Sequence, residues 1–361
     1  VRSSAASDVY KRQSPDGTCY EPDSIQKVHQ SYGRPYQLPN STAHNETCAN
    51  IGNLLFNWRM FQTSGNARYV DIVENCLYNS ILSGISLDGK RYFYTNPLRI
   101  SADLPYTLRW PKQRTEYISC FCCPPNTLRT LCEVQNYVYT LSDEGVWCNL
   151  YGGSELDTEW MGNHIQLLQE TDYPWDGAVS ITLKEVPEKK SLSLFLRVPE
   201  WCTKATLAVN DVPVTTDLKA GTYAEIKRIW KKGDRVAFVM GMEPVLLESH
   251  PLVEETRNQV AVKRGPVVYC LESMDVEAGK RIDDILIPAD IKFSPVKTEI
   301  AGSRVTVLDG IAHSVDSDSW EGKLYRKVAE NGDRIPIRLI PYYAWGNRGE
   351  SEMTVWMLLE R

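Results

Sequence analysis

Two short stretches hold the residues best suited to chemistry. In EYISCFCCPPNTLRT, residues 116–130, Cys120, Cys122 and Cys123 fall within four positions and stand directly before two prolines. In LPNSTAHNETCANIGN, residues 38–53, Glu46 and Cys48 lie two apart. Thiols crowded in this way can form a disulfide knot, packing, a metal site or a nucleophile. Cys48, Cys122 and Cys123 together with Glu46 supply three sulfurs and one carboxylate, enough for a four-coordinate zinc. E-x-C followed by C-C about 75 residues later is not zinc-finger spacing, so the spacing alone leaves both metal and packing open. The Pro-Pro start of a helix weighs toward reactivity, because orphan N–H groups and the helix dipole favour a thiolate there. A bound metal would act in the same direction, since it ionises a coordinated thiol outright.

These residues need elements to carry them. Cys48, Ile51, Leu55 and Trp58 recur at helical spacing within residues 41–85, Gly65-Asn66 interrupts the run, and Val70, Val73, Leu77 and Ile81 continue a second pattern. Pro124-Pro125 opens another helix through Leu128, Leu131, Val134 and Val138. Residues two apart on a regular helix point to opposite sides. Glu46 and Cys48 can therefore share a metal only if the helix begins there and one of them sits outside its regular turns. Asp88-Gly89 between apolar flanks reads as a hairpin. After about residue 138 the period shortens to two. GVWCNLY, AVSITLKEV, LSLFLRVPEW, ATLAVNDVPV, YAEIKRIW and RVAFVM read as strands of a β-sandwich, and a second strand-rich block follows from about 245.

Composition narrows the function classes. A formal net charge of −6 and a pI near 5.6 provide no basic surface, which argues against nucleic acid and anionic membranes as partners. No run approaches the roughly 20 apolar residues of a membrane span. Ten cysteines in 361 residues are too few for a disulfide scaffold, and seven of them lie from Cys19 to Cys132. Cys76 and Cys132 fall on apolar helical faces and read as packing thiols; Cys19, Cys148, Cys202 and Cys270 read as isolated. With 10 Trp and 19 Tyr the chain is rich in side chains that suit sugar rings and sandwich cores alike. Residues 1–13 read as a sequencing-adapter artefact and the remainder as part of a longer protein, so the compartment, bacterial periplasm or surface against cytoplasm, stays open. The sequons at Asn40 and Asn45 flank Glu46 and read as chance matches.

Both stretches, together with YVDIVENCLYNSILSGISLDGKRYFYTNPL and the terminal IPYYAWGNRGESEMTVWM, resemble the β-L-arabinofuranosidase family of glycoside hydrolases, family 127, over residues 18–361. The resemblance implies the C-terminal part of an (α/α)6-barrel catalytic domain at 14–138 and two β-sandwich domains at 139–244 and 245–361. It implies zinc held by Glu46, Cys48, Cys122 and Cys123. It also makes Cys122 the nucleophile of a retaining exo-glycosidase working through a thioglycosyl intermediate. Cys120 would line the site, and Glu74 and Tyr94 would contact substrate, a terminal β-L-arabinofuranose or similar sugar on a plant-type glycan.

The chain departs from the family at one position. Where relatives carry an acid/base Glu, sixteen residues ahead of the zinc Glu, this sequence has Gln30, and an amide cannot transfer a proton. An impaired enzyme, a sequencing error and substitution by a neighbouring carboxylate such as Glu21 are the competing explanations. The rival readings of function are a glycan-binding homologue without turnover and a structural zinc protein. A homo-oligomer is compatible with the sequence.

Overall fold

The computed structural model describes residues 35–102, 110–315, 323–327 and 332–361. Its contacts divide the chain into two compact units. The first contains residues up to Asn50, Tyr78–Thr127 and Pro244–Arg361; the second contains Ile51–Leu77 and Leu128–Glu243.

Among the described residues the α-helices are α1 (Thr47–Ser64), α2 (Ala67–Asn75) and α3 (Cys123–Cys132). Gly65 ends α1 with φ +64°, and the Asn66 side chain caps α2 by accepting from Arg68 N at 3.1 Å, a contact of about 1 kcal/mol. A π-helical turn, Cys76–Ile81, prolongs α2. The helical reading of 41–85 thus holds from Thr47 onward, while 41–46 is turn and bridge. The helix opened by Pro124-Pro125 ends at Cys132 and a 3-10 turn, Val134–Tyr137, follows it. Three apolar-face assignments are corrected. Cys132, Leu55 and Leu128 are exposed, because hydrophobic spacing marks a stripe without saying which part of it a neighbour covers.

Most of the structure is sheet. After β1 (Arg99–Ile100), the second unit holds β2 (Tyr139–Leu141), β3 (Gly145–Cys148), β4 (Ser154–Trp160), β5 (Asn163–Thr171), β6 (Ala178–Glu185), β7 (Ser191–Val198), β8 (Ala205–Val209), β9 (Val212–Pro213), β10 (Thr222–Ile229) and β11 (Arg235–Met240). They form a four-stranded sheet, β10-β7-β3-β2, and a six-stranded sheet, β4-β5-β6-β11-β8-β9. Alternation gives the larger sheet one apolar face: Ile165 and Leu167, Ile181 and Leu183, Val236 and Phe238 are buried. Each such side chain contributes roughly 1.5–3 kcal/mol. Across the unit, Tyr151 meets Phe238 with ring centroids 5.8 Å apart. The β4–β5 hairpin was not among the strands read from sequence, although Met161 and Gly162 at its turn both have positive φ.

The first unit continues with β12 (Pro244–Glu248), β13 (Gln259–Arg264), β14 (Val267–Glu272), β15 (Ile285–Pro288), β16 (Ser294–Ile300), β17 (Ser303–Ser314), β18 (Arg334–Pro341), β19 (Met353–Thr354) and β20 (Met357–Glu360). With β1 they make one ten-stranded sheet. β14 pairs with β18 on one side and β13 on the other, and β18, β17, β15, β20 and β13 follow in order. In the block expected to be the second sandwich the pairings thus link six strands in a cycle, with β13 giving one edge to β12 and the other to both β14 and β20. Alternation is identical in sandwiches and closed sheets, and only non-local pairing separates them. This unit is tied together by Arg114, whose buried guanidinium donates to the carbonyls of Ser83 (2.9 Å), Trp345 (2.5 Å) and Tyr343 (3.1 Å).

Candidate metal centre

The site starts from the way α1 is nucleated. The backbone of Glu46 pairs with Thr95 in an isolated antiparallel bridge. On either side of it, Thr47 N donates to Tyr94 O at 2.9 Å and Asn96 N to Asn45 O at 3.0 Å. The Asn50 amide donates to Asn45 Oδ1 and to Glu46 O, both at 2.8 Å, gathering the entry segment under the first turn. The Thr47 hydroxyl donates to Phe93 O at 3.1 Å. A Cβ on Gly84 would stand 2.7 Å from Thr47 Cγ2, so this close approach requires glycine. As a result Glu46 lies in a bridge and Cys48 in a helix, which removes the two-apart obstacle. Asn40 and Asn45 are buried, which leaves a glycan no access.

α3 supplies the other donors. It begins at Cys123, with Pro124 and Pro125 in the first turn, where their missing N–H groups would have had no helical partner. Asn126 N donates to Cys122 O at 3.3 Å, which places Cys122 at the helix cap. One donor atom from each of Glu46, Cys48, Cys122 and Cys123 lies within 4.8 Å of all the others. Cys48 Sγ and Cys123 Sγ are 3.4 Å apart, Cys122 Sγ and Cys123 Sγ 3.8 Å. Metal–sulfur bonds of about 2.3 Å set tetrahedral donors about 3.8 Å apart, so the donor set fits a four-coordinate thiolate metal. Around it, Asn126 Nδ2 donates to Cys48 Sγ at 3.0 Å, and His44 Nε2 stands 3.4 Å from Glu46 Oε2.

Burial grades the thiols. Cys123 is buried against Tyr94 and Ile118, Cys48 is half-buried and Cys122 is exposed. Their acidities do not follow exposure of the residue: hydrogen bonds within the cluster and local desolvation of each sulfur set them. The Cys48 thiol is lowered to about 6, first by the hydrogen bond from Cys123 and then, against burial, by the Asn126 amide. Cys122 is pushed up to about 12 by burial and by Cys48. Cys123 is raised further, first by its hydrogen bond to Cys48 and then by burial. Four ionised donors this close require positive charge among them.

Family models cover nearly the whole chain. The β-L-arabinofuranosidase GH127 catalytic domain matches residues 17–136, the GH127 middle domain 145–242, and the glycoside hydrolase family 127 C-terminal domain 244–358. The chain belongs to glycoside hydrolase family 127. It is 31% identical over 342 residues to a non-reducing end β-L-arabinofuranosidase of Bifidobacterium longum subsp. longum, covering 91% of this chain and 51% of that protein. A solved structure described as a glycoside hydrolase superposes with TM-score 0.91 at 69% identity, over 98% of this chain and 58% of that one. A family 127 β-L-arabinofuranosidase from Geobacillus stearothermophilus T6 superposes with TM-score 0.87 at 36% identity, over 98% of this chain and 55% of that one. The chain therefore spans about half the length of these relatives.

The remaining residues singled out in this family 127 chain fall in three places. Tyr94 is in the first unit beside the thiols: its carbonyl is 3.8 Å from Cys123 Sγ, and its ring stacks on Trp110 with centroids 3.9 Å apart. Burial first, then the charge of Glu46, pushes its hydroxyl well above the usual tyrosine range, and Cys120, an exposed thiol, contributes a hydrogen bond. Glu74 belongs to the second unit and is buried. Its Oε1 accepts from Tyr173 Oη at 2.6 Å and Arg197 Nη2 at 2.5 Å, and its Oε2 from Trp201 Nε1 at 3.2 Å. Gln30, with Glu21, Cys19 and His29, lies outside the described residues. Sequence reading missed Asn126 and Arg197. Asn126 could have been noticed as the polar residue one turn beyond the Cys122 cap; Arg197, in the apolar strand SLSLFLRV, gave only the oddity of a charge in a buried run.

Proposed function

We propose that this chain carries the nucleophile and metal centre of a retaining exo-glycosidase releasing a terminal β-L-arabinofuranose or a similar sugar. The observation that carries the reading is the convergence of three thiols and a carboxylate, with one thiol, Cys122, exposed and its neighbour Cys123 buried. Glu46, Cys48, Cys122 and Cys123 would hold zinc, which when bound keeps the thiolates ionised near neutral pH. The Cys122 thiolate attacks the anomeric carbon as the glycosidic C–O bond breaks, the departing oxygen taking a proton from solvent that the attacking water returns in the second step. Water then displaces the sulfur from the opposite face, so two inversions restore the starting configuration. Cys123 and Cys48 orient the cluster from its buried side. Tyr94 walls the site and contacts substrate; Glu74 is a substrate contact only by the family resemblance, its carboxylate here being buried and held by Tyr173, Arg197 and Trp201 of its own unit. Residues 14–138 are assigned to the C-terminal part of an (α/α)6 barrel, 139–244 and 245–361 to two β-sandwich domains. The substrate class follows the activity named for the relatives and the family of the matching catalytic domain.

Gln30 at the acid/base position favours a second reading, a glycan-binding homologue with impaired turnover. One experiment separates the two: incubation with 4-nitrophenyl β-L-arabinofuranoside, intact mass measurement and peptide mapping. Nitrophenol needs little protonation to leave, so a pentosyl adduct accumulating on Cys122 supports the nucleophile and assigns the arrested step to Gln30. Turnover without an adduct on Cys122 overturns this nucleophile or shows that another carboxylate completes the cycle. Sugar binding without release supports the second reading.

A further inference from the structure

We propose that Asn126 is a positioning residue of the metal centre, its side-chain amide fixing the Cys48 sulfur as a ligand. The inference deepens the proposed function, since it rests on the four donors holding a metal. Asn126 is the point where the two donor-bearing segments meet. Its backbone N–H holds the Cys122 carbonyl at 3.3 Å while its side chain reaches Cys48, 78 positions away, at 3.0 Å. Cys48 Sγ and Cys123 Sγ stand 3.4 Å apart and both belong to the donor set, whereas Asn126 lies outside it. The amide carries no titratable proton and remains a donor. Three thiolates and a carboxylate around a dication leave a formal excess of two negative charges. An N–H donor on one sulfur disperses part of that excess and sets the direction of its lone pairs. The short reach of Asn suits this geometry, because Asn126 lies one helical turn from the cap and its amide is directed back toward the start of α1.

Cobalt(II) titration of the whole chain against a competing chelator tests this without any sugar, comparing wild type, Asn126→Ala and Asn126→Asp. The expected result is a loss of cobalt affinity of about 10-fold for the alanine variant, more for aspartate, whose oxygen faces the sulfur. The thiolate-to-cobalt charge-transfer band of Asn126→Ala moves to longer wavelength as the sulfur loses its donor. Unchanged affinity and band position in both variants overturn the proposal while leaving the metal centre standing. So does an affinity loss with the band unmoved and the metal-free chain melting lower, which is a purely structural effect. Failure of the wild-type chain to bind cobalt removes the metal reading itself. The isosteric Asn126→Asp retains the helix start and carries the test if the alanine variant does not fold.

Discussion

The thiol cluster of the first unit and the arginine cluster of the second solve opposite problems with similar materials. Around Arg197, Asp71 Oδ1 accepts from Nη1 and Glu74 Oε1 from Nη2, both at 2.5 Å, while Nε donates to Asn149 O at 2.5 Å. Burial by itself would discharge this guanidinium, and the two carboxylates hold it charged, well above the ordinary arginine value. That cluster contains its own counter-charge. The thiol cluster brings four potential anions within 4.8 Å, and its members keep the peace by sharing protons, Cys48 low and the other two high. Anionic donors that converge by folding and neutralise themselves only by protonation mark a place for a cation. Those that converge on an arginine mark a structural joint.

The comparison can be broken at several points. On the proposed reading the largest effect is expected from Cys122→Ala, which should reduce kcat/KM by about 10⁴-fold or more, while the melting temperature of the metal-free chain stays near wild type. A variant with substantial residual turnover would break the distinction between a functional and a structural cluster. Next, Arg197→Met should cost about 3–5 kcal/mol in denaturant unfolding, because it removes the counter-charge of the buried Asp71 and Glu74. Loss of under 1 kcal/mol would show that the second cluster is not a joint.

Metal removal sharpens the contrast differently. On the same reading, chelation should abolish turnover and strip the bound metal yet preserve most of the far-ultraviolet dichroism, since the large sheets do not depend on the four donors. Loss of the sheet signal on chelation would return the structural-zinc reading.

Smaller effects follow from pH and from steric contact. Burial, then the neighbouring charge of Glu74, raises the Asp71 carboxyl to about 6 against the pull of Arg197. The fold therefore favours the protonated acid. Asp71 adds stability that is fully present below about pH 4 and lost as pH rises through 6, at most about 3 kcal/mol. Unfolding of wild type and Asp71→Asn from pH 4 to 7 should show wild type losing ground to the variant as pH rises; a constant difference would remove the shift. Gly84→Ala should cost about 1–3 kcal/mol and loosen the Thr47 anchor, lowering cobalt affinity in parallel.

The chemical inventory of the site was readable in advance. Thiol and carboxylate identities, the Pro-Pro helix start and the Gly65-Asn66 break are local facts, as is the two-residue period after residue 138, and each appears where local rules put it. Cys132 and Leu55 show the limit: both carry the spacing of a buried stripe and both are exposed. Arg197 shows it from the other side, since a charge in an apolar strand has no local explanation until Asp71 and Glu74 arrive from a helix about 125 positions away.

By itself, then, the sequence determined which side chains could bind a soft metal and act as a nucleophile, and which segments had to be strands, because those properties belong to single residues and their near neighbours. Tertiary structure decided the rest. It placed Glu46 outside α1 through a bridge to Thr95, set Cys122 outward and Cys123 inward, and recruited Asn126 to Cys48. It also linked six strands in a cycle. Each of these depends on which distant backbone a segment pairs with, and pairing energy is shared by both partners, so neither segment's sequence encodes it alone.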